Sequence, residues 1–135
     1  MKPKLMRDDI IFPELSYEIM GCAFDVFAAL GPGHSEKTYQ QAMAVCFKKK
    51  NVQFKEQVYH SLTFMGEKIG KGFLDFEVDN KIIVELKKNV YFSKTFLEQV
   101  LGYLTKTNLK LAILIHFTQD GVKYKRIVNI KDRLK

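Results

Sequence analysis

With 135 residues, 47% of them hydrophobic and 27% charged, the chain is long enough for one globular domain with a substantial core. Its longest strongly apolar run, Leu111 to Ile115, is too short to cross a membrane, and the basic N-terminus is not followed by the apolar region of a signal peptide, so we expect a soluble, cytoplasmic protein. The net charge of +7 is concentrated after residue 80, where 12 Lys and Arg stand against 4 Asp and Glu, and this asymmetry favours a polyanionic partner such as nucleic acid.

The first part of the chain has a helical period. Apolar residues recur at three- and four-residue steps from Pro13 to Leu30, which predicts a helix, and the sequence Gly31-Pro32-Gly33 ends it. Ser35 is a suitable N-cap for a second helix that reaches about Lys50. Residues 1–11 are expected to form a loose lead-in.

Beyond Asn51 the period changes to two, which predicts strands. The predicted strands are Val52 to Tyr59, Leu62 to Phe64, Gly72 to Val78, Ile82 to Leu86, Leu109 to Phe117 and Val122 to Val128. Turns are expected at residues 65–68, 79–81 and 119–121, and Ser93 is expected to cap a helix that runs to about Thr105. No repeat or linker divides the sequence, so we predict a single α/β domain over residues 1–135.

The loop at residues 79–81 predicts a hairpin in which the numbers of facing residues sum to 160. One face then pairs Leu74 with Leu86, Phe76 with Val84 and Val78 with Ile82, a continuous apolar surface. On the other face Asp75 lies opposite Glu85, with Cβ atoms roughly 5 Å apart. Lys87 follows two residues after Glu85 on the same face.

Two facing carboxylates destabilise a sheet unless a cation lies between them, and Mg²⁺ prefers carboxylate oxygens. Asp75, Glu85 and Lys87 are therefore a candidate site for phosphodiester hydrolysis, in which a metal activates water and a lysine stabilises developing charge. The alternative is a solvated strand face whose charges have no function.

Four landmarks, in order, resemble the GxxExxxR proteins of the PD-(D/E)XK nuclease superfamily. Asp75, nine further residues and then Glu85-Leu86-Lys87 match the superfamily's D…ExK pattern. The landmarks are Gly31-Pro32-Gly33-His34-Ser35-Glu36, Ile83-Val84-Glu85-Leu86-Lys87, Glu98-Gln99-Val100-Leu101-Gly102-Tyr103-Leu104 and the closing strand Leu109 to Ile115. The resemblance covers about residues 15–128.

The resemblance implies a restriction-endonuclease-like fold with an αβββαβ core, in which helices flank a central mixed sheet. It also implies a nuclease that uses Mg²⁺ or Mn²⁺ and acts on DNA in preference to RNA. In that interpretation Asp75 and Glu85 bind the metal, and Glu36 completes the acidic set. Lys87 positions or activates water, and Gln99 orients the water or the phosphate. Without the resemblance, the interaction of an acid with the dipole of its helix is the better explanation of Glu36, and a bond to a neighbouring backbone group is the alternative explanation of Gln99.

The chain departs from the family pattern at two positions. Gln40 stands where the family's name motif has Arg, and Phe73 stands where an Arg is frequent, two residues before the aspartate. These changes remove phosphate contacts or carboxylate partners and leave the metal-binding acids in place. The missing Arg at Gln40 supports one alternative, a nuclease-like fold that binds nucleic acid or a protein partner without cutting. A different metal-dependent hydrolase is a third hypothesis.

The basic second half of the chain supplies the candidate phosphate contacts, which are Lys88, Lys94, Lys123, Lys125 and Arg126. A second copy of the chain, in a homodimer, stays open as a further partner. The two cysteines, Cys22 and Cys46, have no CxxC spacing, so we expect small buried side chains in a reducing compartment and no zinc knuckle.

Overall fold

A computed structural model of the protein describes residues 11–88 and 93–129. Its elements are α1 (Pro13–Leu30), α2 (Glu36–Lys49), β1 (Phe54–Phe64), β2 (Glu67–Val78), β3 (Ile82–Lys87), α3 (Lys94–Thr107), β4 (Leu111–Thr118) and β5 (Gly121–Val128). In this part of the chain, the strands form one five-stranded sheet in the order β1-β2-β3-β4-β5. Strands β3 and β4 are parallel, and the other neighbours are antiparallel. The predicted α/β fold, a mixed sheet flanked by helices, is confirmed. The expected lead-in lies outside the described residues, except for Ile11.

The predicted helix boundaries are explained by local chemistry. Pro13 opens α1, and Gly31 ends it with a φ of 72°, where its N–H donates to the carbonyl oxygen of Phe27 at 2.8 Å. The hydroxyl oxygen of Ser35 accepts a hydrogen bond from the N–H of Thr38 at the start of α2. Ser93 caps α3 in the same way, so both predicted N-caps are confirmed.

Both faces of the sheet are covered by helices, and each face has its own apolar cluster. Helices α1 and α2 pack on one face, where Tyr39 and Phe47 meet Phe76 and Ile113. Helix α3 packs on the other face, whose cluster consists of Leu74, Ile83, Val100, Leu104, Ala112 and Leu114. Within the described part of the chain, no helix combines the length and the apolar character that spanning a membrane requires.

The hairpin of β1 and β2 is longer than the sequence predicted. Strand β1 is continuous from Phe54 to Phe64, where two strands were expected, and β2 begins at Glu67 instead of about Gly72. A β-bulge at Leu62/Thr63 shifts the register of this pair. Gly72 lets the His60 ring pack close to β2, because a Cβ there would lie 2.6 Å from the Nε2 atom of His60.

The predicted apolar face of the second hairpin is wrong at Leu74. Leu74 packs under α3, whereas Phe76, two residues later on the same strand, packs under α1 and α2. The same change occurs on β1 between Phe54 and Val58. Between these residues the β1–β2 ladder skips Gln57, which has a φ of 51°, and its partner position Asp75. Regular alternation is broken there, so side chains beyond this point lie on the opposite face.

The two cysteines are free thiols on α1 and α2. Cys22 is buried as predicted, and Cys46 is half-buried in the contact between the two helices. Both behave as small apolar side chains of the core.

Candidate active site

The ladder between β2 and β3 ends where the two candidate carboxylates begin. The predicted register is confirmed at three pairs, Phe76–Val84, Glu77–Ile83 and Val78–Ile82. At the next position, side chains take over the bonding: the N–H of Asp75 donates to Oε1 of Glu85, and the N–H of Leu86 donates to Oδ2 of Asp75 at 2.8 Å. The structure therefore brings Asp75 and Glu85 together, each bonded to the backbone of the other strand.

The electrostatics of this pair disfavour two negative charges. Glu85 is only 5% exposed, and burial, reinforced by the negative charge of Asp75, raises its pKa to about 8. Burial also raises the pKa of Asp75, although the N–H of Leu86 and the charge of Lys87 oppose this effect. The negative charge of Glu36 raises both pKa values further. A positive charge beside Asp75 and Glu85 would offset the burial and the neighbouring negative charges that raise these pKa values.

Glu36 is held at the same end of β3 by a long-range hydrogen bond. It is the first residue of α2, and its Oε2 atom accepts the N–H of Lys88 at 2.9 Å, directly after β3 ends. An acid in a first helical turn also interacts favourably with the helix dipole. Glu36 therefore lies near the pair and still has a structural explanation of its own.

Lys87, the last residue of β3, is held by α3. Its ammonium group lies 4.6 Å from the centroid of the Phe96 ring, in the first turn of that helix. Its positive charge lowers the pKa of both Asp75 and Glu85. The predicted lysine is therefore close enough to the acids to stabilise their charged forms.

Gln99 lies one turn after Phe96 and lines an open cavity of about 670 Å³ between α3 and the β1–β2 hairpin. His60 and Tyr103 line the same cavity, with ring centroids 5.8 Å apart. The hydroxyl of Tyr103 also donates to Oε1 of Glu77 at 3.4 Å. Gln99 thus faces a cavity beside the hairpin, and its role in orienting water or phosphate stays a prediction.

Two of the candidate phosphate contacts share a face with the acids. Glu85 is in register with Leu114 and Lys125, and Lys87 is in register with His116 and Lys123. Side chains directly opposite one another across a sheet point to the same face. Lys123 and Lys125 are exposed on that face of β5, and Lys88 and Lys94 are exposed near the ends of β3 and α3.

Arg126 has a different environment from its lysine neighbours. Its guanidinium group donates through Nη1 to Oγ of Ser16 at 2.8 Å and through Nη2 to the carbonyl oxygen of Ile11 at 2.7 Å. It is half-buried, and this burial lowers its pKa. The side chain joins β5 to the start of α1, which is a structural role that the sequence did not indicate.

The two departures from the family pattern lie next to the acids. Nε2 of Gln57 donates to Oε1 of Gln40 at 3.0 Å, and Nε2 of Gln40 reaches Oε1 of Glu56 at 3.5 Å. Phe73 packs edge-on against Tyr59, with ring centroids 5.7 Å apart. An amide network and an aromatic pair therefore occupy the positions at which the family pattern places arginines.

The donor set fits a hard divalent cation in its chemistry. In the part of the chain that the structure describes, no three His, Cys, Asp or Glu side chains already converge as a complete set of metal ligands. Asp75 and Glu85 nevertheless supply buried carboxylate oxygens whose joint negative charge is disfavoured. A bound Mg²⁺ or Mn²⁺ would remove that penalty, because both ions prefer oxygen ligands.

Comparison with known proteins assigns the family. Residues 13–127 match the model of the PD-(D/E)XK nuclease superfamily. The chain belongs to this superfamily. PD-(D/E)XK nucleases generally use divalent metal ions. The comparison with curated proteins gave no match.

Solved structures resemble the fold of this PD-(D/E)XK protein. The crystal structure of SSO0001 has a TM-score of 0.53 at 19% identity and is matched over 70% of this chain, which spans 50% of the SSO0001 chain. An alkaline exonuclease (LHK-Exo) from Laribacter hongkongensis has a TM-score of 0.47 at 12% identity, over 96% of this chain and 75% of that one. At 19% identity the likeness to SSO0001 concerns the fold alone.

Sequence reasoning missed two features of the site. It did not identify Phe96 as the partner of Lys87, because the Ser93 cap predicts where Phe96 lies on the helix and no local pattern indicates what the ring contacts. It also missed the interruption at Gln57, since glutamine is not a residue that usually signals a positive φ.

Proposed function

We propose that this protein is a metal-dependent nuclease that hydrolyses phosphodiester bonds in DNA. The observation that supports the proposal most strongly is the pair of buried carboxylates, Asp75 and Glu85, bonded across the end of the β2–β3 ladder with Lys87 beside them. Membership of the PD-(D/E)XK nuclease superfamily gives this arrangement a chemical context. The narrower assignment to the GxxExxxR family stays a prediction from the sequence landmarks. A cytoplasmic location also stays a prediction from the sequence.

Asp75 and Glu85 would hold Mg²⁺ or Mn²⁺, and Glu36 would complete the acidic set. When bound, the ion would act as a Lewis acid on the phosphate and lower the pKa of a coordinated water. Glu85, whose pKa is about 8, must lose its proton when the ion binds near neutral pH. The buried pair therefore couples metal occupancy to pH.

Lys87 would stabilise the negative charge that develops on the phosphate or position the attacking water. The face of the Phe96 ring restrains its ammonium group near the acids, so little side-chain freedom is lost when the substrate arrives. Gln99 would assist from α3. Lys88, Lys94, Lys123 and Lys125 would bind phosphates along the same part of the molecule, which favours nucleic acid over a small substrate. The preference for DNA over RNA is supported by the sequence resemblance alone. A homodimer stays a further part of the proposal.

A second candidate is a nuclease-like fold that binds nucleic acid or protein without cutting it. The Gln40–Gln57–Glu56 network favours this alternative, because Gln40 stands where the family pattern has an arginine and its amide is bonded within the chain. The retained Asp75, Glu85 and Lys87 favour the nuclease.

One experiment separates the two candidates. Labelled single-stranded, duplex and branched DNA, with RNA in parallel, are incubated with the protein in Mg²⁺, in Mn²⁺ or in EDTA. We expect DNA cleavage with either ion, none in EDTA and none by Asp75→Asn, and calorimetry should show that this variant binds Mn²⁺ much more weakly. Cleavage that survives EDTA, or equal Mn²⁺ affinity in Asp75→Asn and wild type, would contradict the proposed site. Binding without cleavage in any metal would favour the second candidate.

A further inference from the structure

The β1–β2 hairpin exposes a pair of aromatic rings next to the acids. Tyr59 is 47% exposed and Phe73 is 52% exposed, although both belong to the regular ladder and face each other directly. The neighbouring residue His60 packs against Tyr103 of α3. Because successive side chains alternate, Tyr59 and Phe73 lie on the other face of the hairpin, away from α3.

A β-bulge places a lysine on this aromatic face. The register of the two strands shifts by one residue between Leu62 and Thr63, so Lys68 pairs with Thr63 instead of with Phe64. Its ammonium group then lies 5.3 Å from the centroid of the Tyr59 ring. Without the bulge, Lys68 would point to the face of His60 and α3. Lys71, two residues before Phe73, is exposed on the aromatic face as well.

The aromatic pair is close to the acids along β2 but lies on the other face of the sheet, because Glu85 and Lys87 share the α3 face with Lys125 and Lys123. Phe73 is two residues from Asp75 along β2, a distance of ~7 Å between backbone positions. On the same face, α2 packs with Phe47 against Phe54 and Phe76, and Gln40 lies over Gln57. The N-terminal end of α2, where Glu36 begins the helix, is bonded to the N–H of Lys88 directly after β3.

We propose that Tyr59, Phe73, Lys68 and Lys71 form a binding surface for single-stranded nucleic acid on the hairpin face opposite α3. Exposed aromatic rings interleaved with cations are what a single strand requires, because unpaired bases stack on the rings and the cations neutralise phosphates. Base pairs within a duplex are already stacked on one another and cannot use the rings. The inference rests on the proposed nuclease function only for its catalytic consequence, which is that a strand held on this face runs past Asp75, where the β2–β3 ladder has ended.

The test compares a double variant, Tyr59→Leu with Phe73→Leu, with wild type. Leucine keeps the apolar contact across the hairpin and removes the aromatic faces. The matched control is Tyr17→Leu, because Tyr17 is 67% exposed on α1, outside the hairpin. Fluorescence anisotropy in EDTA measures the binding of labelled oligothymidylate, oligouridylate and a DNA duplex of the same length, and thermal unfolding checks that each variant is folded.

We expect the double variant to bind the single strands about tenfold more weakly or worse, with little change for the duplex and none in Tyr17→Leu. A difference between the thymidylate and uridylate arms assigns the surface to DNA or to RNA. Equal single-strand affinity in the double variant and wild type overturns the inference, and so does an equal loss for strand and duplex. A concentration-dependent dimer with no oligonucleotide binding also overturns it.

Failure of this inference can be distinguished from failure of the nuclease proposal. A protein that cleaves DNA in Mn²⁺ while the double variant binds single strands normally is a nuclease without this surface. A protein that binds single strands through Tyr59 and Phe73 and cleaves nothing has the surface without the activity.

Discussion

The part of the sheet that the helices cover and the β1–β2 hairpin that extends beyond them follow different rules. Strand β3 is buried on both faces up to Lys87, and β4 is buried up to Thr118, so their side chains are fixed by packing. The hairpin beyond Gln57 and Asp75 is packed on one face only and exposes aromatic rings on the other. The candidate acids lie at the boundary between these two parts, where the β2–β3 ladder ends.

The largest expected effect is the difference in stability between alanine variants of two phenylalanines, Phe76 and Phe73, which lie three residues apart on β2. Phe76→Ala should lower the free energy of unfolding by about 3–5 kcal/mol, because it leaves a cavity among Phe47, Phe54 and neighbouring core residues. Phe73→Ala, in the open hairpin, should cost less than about 1 kcal/mol. Urea unfolding of both variants measures the difference. Similar losses would mean that the hairpin is as tightly packed as the core.

The next effect is the pH dependence of the stability of the metal-free protein. It concerns the acids at the boundary between the covered sheet and the open hairpin. The ordinary pKa of a glutamate is 4.5, and that of Glu85 in the folded protein is about 8, so the folded state holds this proton more tightly than the unfolded state. The stability due to this group is therefore greatest below 4.5 and is lost as the pH rises to about 8.

Glu85→Gln should remove this loss, because the amide oxygen can still accept the N–H of Asp75 and carries no charge. Its melting temperature should exceed that of wild type at pH 8 by more than at pH 5. Glu98→Gln, an exposed change on α3, is the control and should follow wild type at both values. If the melting temperatures of Glu85→Gln and wild type differ by the same amount at pH 5 and at pH 8, Glu85 is not a buried carboxyl group that titrates in this range.

The smallest stability effects distinguish the cations of β5. Arg126→Ala should cost about 1–3 kcal/mol, because it removes two hydrogen bonds from a half-buried guanidinium group. The double variant Lys123→Ala with Lys125→Ala should leave stability almost unchanged and weaken DNA binding. The slope of log affinity against log salt concentration should fall by about one per lysine. Chemical unfolding and salt titration of anisotropy measure both. The reverse pattern would place the phosphate contact at Arg126.

The sequence predicted the features that depend on local chemistry. Ser35 and Ser93 cap helices, Gly31 ends one, and the loop at residues 79–81 sets the register of Phe76 with Val84, because each requires only a few neighbouring residues. The features that it missed depend on contacts between distant segments. The interruption at Gln57 and Asp75 moved Leu74 to the other face, and Arg126 proved to be bonded to Ser16 and Ile11. The pairing of Asp75 with Glu85 was predicted as a ladder position and is made by side chains, since the ladder has already ended at Phe76.

The most direct test of the central claim is the rate of DNA cleavage by Lys87→Ala. If Asp75, Glu85 and Lys87 form the catalytic core, this variant should cut at least about a hundredfold more slowly than wild type in Mn²⁺, a loss of about 2.7 kcal/mol of transition-state stabilisation. Its affinity for uncut DNA and its melting temperature should stay close to those of wild type, because the ammonium group is held by a ring contact at a strand end. If Lys87→Ala cleaves DNA as fast as wild type, Lys87 has no part in the chemical step and the proposed catalytic core is wrong.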